Sequence, residues 1–176
     1  MPSPRTTHVS SMRGNLQAVG LMVAFSFLGI ILTGGRVVEG ALSGALLFLV
    51  YRIVLVGMVL CRAHRRGINL TRDGDFPGAL AAFKQSATGW QRRRWLDRRR
   101  GWLLGSASRW PFHARALYNQ GYCLSQLGRD PEALAVLDEM LHEYGEMGIA
   151  AELRGAIVAA APPPSDWGEL LEEAEQ

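Results

Sequence analysis

Cysteine, histidine and lysine are all sparse in this chain, and each shortage removes a class of protein. The two cysteines, Cys61 and Cys123, stand 62 residues apart with no C-x-x-C pair, which leaves neither a disulfide framework nor a dithiol redox motif. The four histidines, His8, His64, His113 and His142, show no metal-ligand spacing with those thiols, so no zinc site is expected. A nucleophile elbow, a P-loop, a dinucleotide fingerprint and an H-E-x-x-H helix are absent too, and neither an enzyme nor a cofactor is expected. Lysine occurs once, at Lys84, against 18 arginines. Arginine suits bidentate phosphate contacts, but a GC-rich genome produces the same bias and is the plainer cause.

Charge is missing altogether from residues 14–35, a run of 22. At 1.5 Å per residue such a helix crosses a bilayer core of roughly 30 Å. A signal peptide would end in an A-x-A-like site; none follows, and a second apolar stretch, 37–61, begins almost at once. The two stretches are expected to form a transmembrane hairpin with its tip at Gly34, Gly35 and Arg36. Arg52 then falls about 5–8 Å inside the interface, within snorkelling reach of the head groups and beside Tyr51 as an aromatic anchor. A tip as late as Gly40 would place Arg52 deeper and require a partner for it. Residues 53–61 are expected to carry the helix out of the bilayer and into the soluble part. Arg5 and Arg13 precede the first span and Arg62, Arg65, Arg66 and Arg72 follow the second, whereas the connection holds only Arg36 beside Glu39. That asymmetry predicts an integral protein, of a bacterial inner membrane, with both termini cytoplasmic. Gly40-x-x-x-Gly44 and Ala41-x-x-x-Ala45 offer a small-residue face, to the first span or to a second copy of the chain.

Beyond the hairpin the chain repeats itself. Residues 67–88 align without a gap on 121–142, with identities at Gly67/Gly121, Leu70/Leu124, Gly74/Gly128, Pro77/Pro131, Ala79/Ala133, Leu80/Leu134 and Ala81/Ala135. Each copy reads as two short helices around a Gly/Pro turn. Such units cannot bury an apolar face alone and stack on one another. Leu117-x2-Gln120-Gly121-x2-Leu124 with Ala133-x3-Leu137, and Gly67-x2-Leu70 with Ala79-x3-Phe83, resemble the tetratricopeptide repeat, over about 90 residues. The large aromatic that opens that family's pattern and its terminal proline are missing from both copies. The resemblance implies an all-α array whose first helices line a concave face that holds peptides. It points to His64, Arg65 and Arg72 in copy one and to Arg115, Tyr118, Asn119 and Tyr122 in copy two. Side chains there are expected at the surface, where arginines beside an asparagine would suit an acidic segment or a carboxylate terminus.

The copies lie 54 residues apart, so a repeat of about 34 leaves about 20 inserted residues. The insert, 89–112, holds Trp90, Trp95, Trp102 and Trp110 among seven arginines, and Trp95/Trp102 with Leu96/Leu103 recur seven apart, as one helical stripe would. Three readings stay open: an extra helix packed on the repeats; a segment resting on the inner leaflet through Trp95 and Trp102, with anionic lipid as partner; or a nucleic-acid contact, disfavoured by the absence of any RNA or DNA motif. The expected organisation is an N-terminal tail (1–14), the hairpin (15–61), the repeat domain (62–161, with copies at 60–88 and 114–145 and a cap at 149–161) and an acidic tail (162–176). In that tail Ser165 could cap a helix carrying Trp167, Leu170 and Leu171. The function expected is a membrane-anchored adaptor for a protein segment. The alternative is a structural subunit of a larger membrane assembly, or of a homo-oligomer, held mainly by the hairpin.

Overall fold

The computed structural model describes residues 12–145 and 147–160, and every regular element among them is helical. Helix α1 (Met12–Leu32) and helix α2 (Val37–Tyr51) form an antiparallel hairpin. The turn lies where the glycines predict it: Gly34 and Gly35 take φ of +69° and +87°, values that cost a residue without Cβ little. The Gly35 amide closes the turn on the Ile30 carbonyl at 2.9 Å. The small-residue face is used inside the hairpin. A Cβ on Gly29 would strike the Gly40 carbonyl, and one on Gly44 the Phe25 carbonyl, so the two backbones touch and that face is not free for a second copy.

Helix α2 does not stop at Tyr51. It widens into a π segment (Arg52–Leu60) that ends with the Cys61 amide donating to the Val56 carbonyl, five residues back, at 3.0 Å. Counting this segment, two helices are long and apolar enough to cross a membrane, Met12–Leu32 with 21 residues and Val37–Leu60 with 24. Their outward faces are covered with large apolar side chains such as Phe27, Ile31, Leu42 and Leu46.

Two further antiparallel helix pairs follow: α3 (Arg62–Arg72) with α4 (Phe76–Arg92), and α7 (Phe112–Gln126) with α8 (Asp130–Tyr144). Each first helix ends at a glycine with positive φ, Gly74 at +79° and Gly128 at +68°, and each second helix has proline in its first turn. Asp75 caps α4 by accepting from the Gly78 amide at 2.9 Å. The repeat is also a repeat of contacts. A Cβ on Gly67 would lie 2.7 Å from the Phe83 ring, and one on Gly121 2.8 Å from Leu137 Cγ; these are the same two positions, 54 residues on. In each pair a glycine lets the helices close over one large side chain. Helix α4 packs on α7 to join the pairs, and α9 (Gly148–Ala160) covers α8. Phe83, Leu124, Leu137 and Met140 make the centre of this core.

The insert folds as two five-residue helices, α5 (Arg94–Arg98) and α6 (Arg100–Leu104), not as the single helix that the seven-residue spacing suggested. A second core lies beneath it, where Trp90, Leu104 and Phe112 meet Val56 of the π segment. Val56 thus ties the last turns of the second apolar helix to the insert.

Candidate partner groove and membrane-side platform

The proposed groove residues separate once the helices are in place. On α3, Arg65 and Arg72 are exposed, about 10 Å apart along the axis at 1.5 Å per residue. His64 is not a groove residue. It is 4% exposed, set edge-on to the Phe83 ring at 5.4 Å, and neither ring nitrogen has a hydrogen-bond partner among the described residues. Burial, with Arg115 adding in the same direction, pushes its pKa down to about 4, so it is a neutral core side chain at pH 7.

On α7, Arg115, Tyr118, Asn119 and Tyr122 follow the i, i+3, i+4, i+7 spacing of one helix face, and all four are half-buried. Tyr118 and Tyr122 lean on the repeat core, and Tyr122 meets Phe76 edge-on at 6.4 Å. Burial raises the pKa of both phenols, which keeps them neutral donors. The surface position expected for Arg115 needs correction. Its guanidinium lies 5.8 Å from the Phe112 ring, and burial lowers its pKa. Cys61 at the start of α3 and Asp97 and Arg100 of the insert are its neighbours there.

Asp97 is the functional side chain that periodicity could not reveal. It is buried, and its two carboxylate oxygens accept from the Phe112 amide at 2.9 Å and the His113 amide at 3.0 Å. Helix α7 starts after Pro111, which offers no capping side chain, so Asp97 from α5 satisfies the amides and the dipole of a helix fifteen residues later. His113 continues the network with Nδ1 2.7 Å from the Tyr144 hydroxyl.

The insert also grips the hairpin. Tyr51 donates to the Leu103 carbonyl and Arg52 to the Gly105 carbonyl. Trp102 lies against Gly20 of α1, and Gln17 fills the space above Gly101. Arg52 thus has a protein partner as well as an exposed stem. The four tryptophans divide. Trp90 is 2% exposed and stacks on Phe112 at 4.5 Å; Trp110 is half-buried against the repeat core; Trp95 and Trp102 are 60% and 56% exposed. Around the last two, Arg92, Arg93, Arg98 and Arg99 are exposed as well. Exposed indoles among guanidinium groups, beside an apolar helix, are what a head-group layer accommodates.

The class that these features define is an all-α protein with two apolar helices long enough to cross a membrane and a duplicated helical pair behind them. No protein-family model, curated protein or solved structure matches the chain. The acidic tail and its Ser165 cap lie outside the described residues.

Proposed function

We propose that this chain is a membrane-anchored adaptor of tetratricopeptide-like build, which holds an acidic protein segment on the cytoplasmic side and so assembles or localises a membrane complex. What carries the reading is the recurrence of one contact, Gly67 on Phe83 and Gly121 on Leu137, since stacked units of this kind serve as extended binding surfaces. Arg65 and Arg72 stand exposed on the first helix of copy one, and neither has a carboxylate partner within 4 Å among the described residues. Asn119 and the tyrosines of α7 supply neutral donors on the first helix of copy two. A carboxylate reaching this face would gain charge-assisted hydrogen bonds that a neutral segment cannot. The arginine asymmetry around the spans supports a cytoplasmic location for it, and the Trp/Arg insert, gripping Tyr51 and Arg52, would hold the face at a fixed height above the leaflet.

The test is capture from native membranes with three chains: full length, Arg65→Glu with Arg72→Glu, and the hairpin alone (12–61). Charge reversal should abolish recovery of the partner with the circular dichroism unchanged, and the hairpin should recover nothing. Undiminished recovery after reversal rejects the groove. Recovery by the hairpin favours the structural-subunit reading, which the many exposed large apolar side chains of α1 and α2 support.

A further inference from the structure

A second basic feature lies away from the groove. Where the π segment meets α3 and α4, the surface opens into a cleft of about 740 Å³. Arg62, Arg66, Arg92 and Arg93 line it, and no carboxylate among the described residues does. None of the four guanidinium groups has an ion-pair partner among the described residues. Arg62 and Arg66 are one turn apart on α3; Arg92 and Arg93 end α4. Like charges gathered around one space repel, and an anion placed among them relieves that repulsion while accepting several hydrogen bonds at once. Gln85, Ser86 and Thr88 add uncharged polar groups, and the floor is Trp90.

The position of the cleft indicates which anion. Val59 and Leu60 form part of its wall, and Leu60 is the last residue of the second apolar helix. Earlier on the same π segment Leu55 and Met58 are exposed and apolar too. A ligand with a phosphate among the arginines can therefore run an acyl chain along that segment without leaving protein surface. A soluble phosphate would use only the arginines.

We propose that this cleft binds the phosphate head group of an anionic phospholipid in the leaflet nearest the soluble domain. The inference rests on the reading of α1 and α2 as membrane spans and is independent of the partner groove. Volume is sufficient, since clefts of roughly 300–1,000 Å³ hold ligands of this size. Guanidinium pairs at a membrane surface act together, so removing a pair costs roughly tenfold or more in affinity.

The test uses the full chain in nanodiscs of phosphatidylcholine with phosphatidylglycerol titrated in, scored by native mass spectrometry of lipid that stays bound. Retention of one phosphatidylglycerol in preference to phosphatidylcholine is expected. Arg92→Gln with Arg93→Gln should weaken retention roughly tenfold, and adding Arg62→Gln with Arg66→Gln should remove the preference. Arg129→Gln with Arg154→Gln, whose guanidinium groups pair with Glu132 and Asp138 away from the cleft, should leave it intact. Helical circular dichroism and the melting temperature verify folding, and the Arg92/Arg93 pair at an exposed helix end serves if the fourfold variant does not fold. Three outcomes overturn the proposal: equal retention of both lipids, displacement of the lipid by inorganic phosphate alone, or a preference that emerges only after residues 165–176 are deleted, which would make the acidic tail the occupant. A chain that never enters the nanodisc fails on the membrane reading itself, whereas one that enters without preference fails only on the cleft.

Discussion

Trp90 and Trp95 are five residues apart in the same Trp/Arg-rich insert, yet their removal should have unequal consequences. Trp90 is 2% exposed. A tryptophan withdraws ~150–250 Å² from water, which at ~25 cal/mol per Å² is ~4–6 kcal/mol. Stacking on Phe112 at 4.5 Å and 13° adds ~0.5–1.5 kcal/mol, and partial collapse of the site returns some of the loss. Trp90→Ala should therefore cost ~3–5 kcal/mol, a large share of the ~5–15 kcal/mol that a typical domain has. The same change should loosen the hairpin from the repeats, because Trp90 is where Val56, Leu104 and Phe112 meet. Trp95 is 60% exposed, and Trp95→Ala should cost ~1 kcal/mol or less in the absence of lipid. Urea unfolding of the full chain in detergent, followed by far-ultraviolet circular dichroism, measures both. Equal costs, or a Trp90→Ala cost below ~1 kcal/mol, would refute the assignment of Trp90 to the core and Trp95 to the surface.

Acid should expose the buried histidine. His64 titrates near 6.5 when unfolded and about 4 when folded, so the folded state binds fewer protons between these values; stability is complete above about 6.5 and falls by up to ~3 kcal/mol as pH drops towards about 4. His113, also lowered by burial, acts with the same sign, and His64→Leu should flatten the larger part of the slope in melting experiments across that range. Asp97→Ala, which leaves the Phe112 and His113 amides without an acceptor, should cost ~2–4 kcal/mol in urea titrations, and Asp97→Asn less. Gly44→Leu should lower the melting temperature in detergent by forcing α1 off α2, by ~1–3 kcal/mol of overpacking; an unchanged value contradicts backbone contact in the hairpin. With Cys61 and Cys123 replaced, a cysteine at Glu39 should react with an impermeant thiol reagent on intact cells and one at Arg72 should not; labelling at Arg72 would reverse the topology.

The elements that the sequence announced are those fixed by short-range chemistry. Two positive-φ glycines made the hairpin tip legible, and the spacing of Gly67 and Gly121 to their repeat partners made the helical pairs legible. Side-chain destinations set by distant chain segments were not. His64 lies on the first helix of copy one, as a groove residue should, but whether it faced out or in depended on the Phe83 ring of α4. Asp97 reads as one acid in a basic run, because its partners are backbone amides of another helix. The Trp95/Trp102 spacing suggested a single stripe, whereas a break at Arg99 splits the segment into α5 and α6 and leaves that stripe at the surface. Gly40 and Gly44 signalled a close helix neighbour without saying whose; the short turn at Gly34 and Gly35 makes it α1.

The partner groove is tested most directly by a photo-reactive side chain placed at Arg72, at Asn119 or at Leu46 of the hairpin's outward face, in otherwise native full-length chains in membranes. Irradiation should join one protein to the first two positions, with the yield falling as salt screens the contact, and should join none to Leu46. A partner joined only at Leu46, with Arg72 and Asn119 silent, would contradict a peptide-binding repeat face and place the protein's contacts in the bilayer.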